Sequence, residues 1–247
     1  MALTPNLVRY KDLAIGVADR VGLCPDVDTG ATAWTADNQR KISRFLTSSA
    51  RWAYFPPNPD VKWPGLLAGK LISLTSGAFN ISQVDYNPQF SLFSEDPRPI
   101  GSMAYCINAT ISGDLIYPTS ALGTVFAIYM PRPPEYTNVE WDVAEQYAVD
   151  DYVYYDTTGR CYRCILIPPI ATVPTNETYW TPQDCIKLLE DAVCTKAAGE
   201  WQRMGGNEPE SAAANSEEAR YMLDCAWIQA KPFTDLTGYN YLTTSTI

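Results

Sequence analysis

"TPQDCIKLLEDAVCTKAAGEWQRMGGNEPESAAANSEEARYMLDCAWIQA", residues 181–230, is the stretch whose reading decides the fold. Thr181, Pro182 and Asp184 have the order of an N-cap, a first helical position and an acidic third position. Leu188, Leu189, Ala192, Val193 and Ala197 follow at helical spacing, and Gly205-Gly206 ends the run. Asn207 with Glu210 caps a partner helix whose Ala219, Met222, Leu223, Ala226 and Ala230 share a face, and Pro232 closes it. Two helices of about 22 residues, about 33 Å each, joined by a short link form an antiparallel hairpin.

The opposite end of the chain repeats this texture. Thr4 before Pro5 predicts a helix start, with Leu7, Tyr10, Ala14, Val17, Ala18 and Val21 on one face and Gly22 as its stop. Ile42, Phe45, Leu46, Ser49, Trp52 and Ala53 mark a second helix that stops at Pro56-Pro57. Between the two pairs lie short β-prone runs such as "KLISLTSG", "MAYCINATISG" and "TVFAIYM", punctuated by Gly77, Asn87-Pro88, Asp96-Pro97, Gly113-Asp114 and Gly123. They predict a small antiparallel sheet or barrel. "PRPPEYTN" from Pro131 reads as a stiff extended linker, because its prolines forbid helix and central strand.

The expected class is therefore α+β: a four-helix bundle from N- and C-terminal helix pairs, with an antiparallel β-domain and a second small β-unit inserted between them. The expected boundaries are 1–69 for the first helix pair, 70–133 for the β-domain and 134–181 for the small unit. The helix hairpin takes 182–231, and an extended tail takes 232–247.

"DYVYYDTTGRCYRCIL", residues 151–166, carries a C-x-x-C at Cys161 and Cys164. Asp156-Thr-Thr-Gly159 is turn chemistry, which predicts a hairpin of 152–155 with 160–166. Strand side chains alternate faces, so the two thiols point to opposite sides. A zinc knuckle needs them to converge and needs further ligands, and the remaining cysteines (24, 106, 185, 194, 225) stand singly. No metal and no cofactor is expected. A redox pair would need a helix start beside a thioredoxin-like βαβ pattern, which the sequence lacks.

Composition narrows the function classes. The 247 residues are 46% hydrophobic and 12% aromatic, enough to bury a core in one large or two small domains. No apolar run approaches the roughly 20 residues that cross a bilayer, and the first twenty residues carry charges where a secretory signal would be apolar. The expectation is a protein that stays where it is made, without a membrane partner and with its seven cysteines reduced. Eighteen basic against 28 acidic residues give a net charge of −10, which opposes tight binding to phosphate backbones. There is no histidine, so the usual nucleophile activation and neutral-pH general base are missing and an enzyme is not expected. Asp150 and Asp151 do not make a glycosidase pair, since adjacent strand positions face opposite ways. The tail has few charges but carries Phe233, Leu236, Tyr239, Tyr241, Leu242 and Ile247, a composition that predicts a partner surface.

Three features together resemble the head-to-tail adaptor (neck or tail-tubular) proteins of tailed double-stranded-DNA bacteriophages. They are the N-terminal pair "LAIGVADRVGL" and "NQRKISRFLTSSARWAYF", the β segment with "FSLFSEDPRP" and "VFAIYMPRPPEY", and the C-terminal helix hairpin. The resemblance implies a ring, typically of twelve copies, that joins the portal protein to a downstream tail or neck protein. It also implies a place in the virion neck after assembly in the host cytoplasm, with genomic DNA passing through without tight binding. The aromatic tail would then dock on the portal.

The small unit is similar to a second family. Trp141, Tyr147, Asp151, Val153, Tyr155, Gly159, Tyr162, Cys164 and Trp180 follow the arrangement of small chitin-binding-type carbohydrate-binding modules, with Asp150 where that family commonly has glycine. An alternative function follows: a surface module that recognises a host glycan through residues 139–181, with Trp141, Tyr147, Tyr162 and Trp180 as the stacking platform.

Overall fold

The computed structural model describes residues 7–23, 35–54, 68–80, 86–97, 103–119, 123–205 and 209–230. Within them the chain is α+β, with four helices and several open antiparallel sheets. No barrel closes among the described residues. The chain divides into two units, each made of separate segments. One combines Asn6–Pro57 with Pro133–Ala226, and the other combines Met1–Pro5, Asn58–Arg132 and Trp227–Ile247.

The first unit opens on a strand, β1 (Leu7–Val8), where helical spacing had been expected. It pairs antiparallel with a distant strand, Cys185–Ile186, so Leu7 is exposed and Val8 is buried. Helix α1 (Tyr10–Arg20) consequently starts later than predicted, with Arg9 at the cap position and no side-chain cap. Thr4 and Pro5 lie outside the described residues. Leu13, Ala14, Val17 and Ala18 form its buried face, and Gly22 follows in the left-handed region at φ +68°. Helix α2 (Ala36–Tyr54) begins after Thr35, whose hydroxyl accepts from the Asn38 N–H at 3.2 Å. Its core face is Ile42, Leu46, Ala50 and Ala53, and Phe45 and Trp52 are half-buried.

The β-domain holds β2 (Ala68–Ser73), β3 (Phe79–Asn80), β4 (Tyr86–Phe93), β5 (Cys106–Ile107), β6 (Ala109–Ser112), β7 (Leu115–Pro118) and β8 (Thr124–Pro131). They form a four-stranded sheet in the order β2-β8-β4-β5 and a three-stranded sheet in the order β3-β7-β6. In β8, Val125 and Ala127 join one apolar cluster and Phe126 and Ile128 another. A central strand buried on both faces reads as an unbroken apolar run, as "TVFAIYM" does.

The first unit resumes with the segment after Pro133, which packs on α2 instead of spanning space as a linker. Tyr136 is buried, its N–H donates to Thr47 Oγ1 at 2.8 Å, and Arg51 pairs with Glu135 at 2.5 Å. Strands β9 (Tyr152–Tyr155), β10 (Arg160–Cys164) and β11 (Trp180–Pro182) make a sheet in the order β11-β10-β9. The chain then forms β12 (Cys185–Ile186) and a 3-10 turn, Lys187–Leu189, before α3 (Glu190–Gly205) and α4 (Pro209–Ala230).

The expected capping box at Thr181 is thus corrected: Thr181 and Pro182 are strand residues paired with Arg163 and Tyr162. The local helix signal yields to tertiary pairing, because β10 requires a partner for its backbone and the Trp180 ring fills the core beneath it. Asp184 caps nothing and is instead an almost buried carboxylate 3.4 Å from Arg160. The helix it was expected to begin starts at Glu190 and is shorter, at 16 residues. Helix α1 packs on α2 and α3, and α2 packs on α3. Helix α4 lies against α3 at Gly199, where an added Cβ would come within 3.3 Å of the Ala212 carbonyl oxygen.

Candidate functional site

Residues 139–181 build their own small core. The hairpin matches its prediction closely, with Gly159 in the turn at φ +66°. Tyr147, Val153, Tyr162, Cys164 and Trp180 pack together, with Trp141 and Tyr155 against them. Trp180 is only 1% exposed, and its ring meets that of Tyr147 edge-on at 5.2 Å. The Tyr147 hydroxyl oxygen accepts from the Asp142 N–H at 2.6 Å. Three of the four proposed platform residues, Tyr147, Tyr162 and Trp180, are therefore interior and present no face to a sugar. Trp141 keeps partial exposure and meets Tyr155 edge-on at 5.6 Å. The physical reason is size, since a unit this small spends its large aromatics on its own core.

The opposite face of β10 looks toward the helices. Cys161 Sγ bonds the backbone of Thr137, while Cys164 Sγ donates to the Leu166 carbonyl at 3.2 Å, so the two thiols do diverge. Burial pushes the Cys161 and Cys194 thiols up to about 12, which makes them poor nucleophiles. The six described cysteines are free thiols, and Cys106 alone among them is exposed. Tyr10 connects the layers: its ring stacks on Tyr136 at 5.6 Å, meets Tyr154 edge-on, and its hydroxyl bonds Ser43 at 2.7 Å. Burial likewise raises Asp184, opposed by Arg160 and Arg9.

Asp150 and Asp151 have separate duties. Asp150 adopts φ +70°, the left-handed region that favours glycine and that Asp tolerates better than most residues. Asp151 accepts from the Ala148 N–H at 2.7 Å. No group of three or more His, Cys, Asp or Glu converges among the described residues. No described helix is long and apolar enough to cross a membrane. The tail residues Phe233, Leu236, Tyr239, Tyr241, Leu242 and Ile247 lie outside the described residues.

Two surface features escaped the sequence reading. One is a cleft of about 500 Å³ between α2 and residues 136–138, with Arg40, Arg44 and Arg51 along one wall and Ser43 and Thr47 within it. The other is the loop 165–173, "ILIPPIATV", whose aliphatic side chains face solvent. The signal for the loop was Pro168-Pro169, which bars those aliphatics from a paired strand. The signal for the cleft was the i, i+4, i+11 spacing of the arginines.

No known protein-family model matches the chain, and a search of curated proteins finds no match.

Proposed function

We propose that the chain is a structural virion protein, a head-to-tail adaptor whose copies form a ring between the portal and the tail of a double-stranded-DNA phage. The observation that carries this reading is the partition of the chain. Helices α1 and α2 from its first quarter share a unit with α3 and most of α4 from its last quarter, and the β-domain segment 58–132 falls between them in sequence. That is the helix-β-helix order of the adaptor resemblance, and we read the helices as its four-helix bundle.

The small β-unit is read as an inserted carbohydrate-binding-module-like scaffold. Asp150, at a left-handed backbone position where that family commonly has glycine, supports the likeness of its frame. The buried aromatics favour a scaffold over a glycan platform. The excess of acidic residues suits a conduit, because it repels phosphate and leaves DNA free to slide. We assign no catalytic role and place the protein in the virion neck.

The test is the native mass of the full-length protein, alone and mixed with the portal ring of its phage. The expected outcome is a stoichiometric ring on the portal, with a folded chain truncated after Pro232 failing to bind. Absence of any portal affinity in the full-length chain would refute the assignment. Undiminished binding by the truncated chain would remove the tail's docking role only.

A further inference from the structure

Residues 165–173 invert the usual order of burial. Leu166, Ile167 and Ile170 are 52%, 61% and 60% exposed, and Ile165 and Val173 face solvent beside them, while Pro168 and Pro174 are buried. Two hydrogen bonds tie the loop to neighbouring segments and two close local turns at its C-terminal half. The Ile165 N–H donates to the Tyr179 carbonyl at 2.8 Å, and Gln146 Nε2 donates to the Pro168 carbonyl at 2.9 Å. Thr172 Oγ1 donates to the Pro169 carbonyl at 2.7 Å, and the Asn176 N–H donates to the Val173 carbonyl at 3.1 Å. A contiguous apolar projection facing water marks an interaction surface, and the hydrogen bonds that shape it reduce the entropy lost on docking.

Charge narrows the partner. Residues 139–181 carry seven carboxylates against two arginines, half of the chain's net charge of −10. Glu145, Asp150 and Glu177 are exposed around the loop, next to the residues that pin it. Both arginines already face carboxylates, Arg160 at Asp184 and Arg163 at Asp150. Such a collar is repelled by anionic lipid and fits a basic rim.

The same unit carries a basic rim on α2, where Arg40 and Lys41 share Asp37, Arg51 pairs with Glu135, and four cations against these two carboxylates leave an excess of two positive charges. Arg44 is exposed and makes no ion pair with a described residue. In the cleft, the aliphatic stems of Arg40, Arg44 and Arg51 supply apolar surface beneath their guanidinium groups.

The geometry points to a head-to-tail contact in which loop 165–173 of one copy, with its acidic collar, seats on the α2 arginine cleft of a second copy. The two surfaces differ, so the contact is heterologous and repeats around an axis. It names the subunit contact of the proposed ring and rests on that reading.

The experiment uses two full-length variants, Ile167→Ser/Ile170→Ser and Arg40→Glu/Arg44→Glu, in sedimentation velocity at low and high salt. Wild type is expected to self-associate, more weakly as salt rises. Each variant alone is expected to be monomeric with an unchanged circular dichroism spectrum. Mixed, they restore one intact loop and one intact cleft and should form a one-to-one dimer. A wild type that stays monomeric at low salt overturns the proposal, as does a pair of monomeric variants that fail to combine. Flotation of monomeric wild type with neutral phosphatidylcholine vesicles, lost in the loop variant, would overturn it in favour of a membrane surface. If both variants still mount on the portal as rings, this contact is wrong and the adaptor reading stands. If wild type never binds the portal, the adaptor reading itself fails.

Discussion

Gly159 lets α1 seat against the hairpin because it has no side chain there. Its carbonyl accepts from the Lys11 N–H at 3.0 Å, and an added Cβ would lie 3.0 Å from Lys11 Cβ. The residue also sits at φ +66°, so a side chain would be strained even in open space. Gly159→Ala should cost about 1–3 kcal/mol, read as a lower urea midpoint with an unchanged slope. Asp150, at φ +70°, is the opposite case, since its partner Arg163 is 3.7 Å away and the carboxylate is largely exposed. Asp150→Gly should leave stability unchanged or raise it by up to about 1 kcal/mol in the same titration.

At the scale of the element, β11 is short, yet its first residue fills the core of the small unit. Trp180 is among the largest fully buried side chains, so Trp180→Ala should cost about 3–5 kcal/mol and abolish the near-ultraviolet circular dichroism of the unit. Trp141→Ala, at a half-buried site, should cost clearly less in urea denaturation. The same strand shows where sequence reading succeeds and fails. The hairpin β9-β10 was legible because its turn chemistry and alternation are local. Thr181-Pro182 misled because a local capping pattern coincides with a long-range strand pairing that no spacing announces. Leu7 misled for the same reason, its partner Ile186 lying 179 residues further along the chain. The aromatic signature picked out rings that pack together but not how far they are exposed, since a stacking platform and a core draw on the same residue types.

For the whole molecule, charge is unevenly spread: α2 carries an excess of three positive charges in a chain that is otherwise acidic. The arginine row is flanked by carboxylates at Asp37 and Glu135, which blunts its attraction for phosphate. At physiological ionic strength the full-length chain should therefore show no retention of duplex DNA in a gel-shift assay. Weak retention at low salt should vanish steeply as salt is added. The partition of the chain also bears on its synthesis. The β1–β12 pair joins Leu7 to Ile186, so β1 and its helices wait for their partners to be translated, roughly 10 to 35 s at ordinary elongation rates. The β-domain has all its strands well before then. The nascent chain thus passes through a stage in which α1 and α2 are complete but still lack the cover that α3 gives them, a window for chaperone capture during translation.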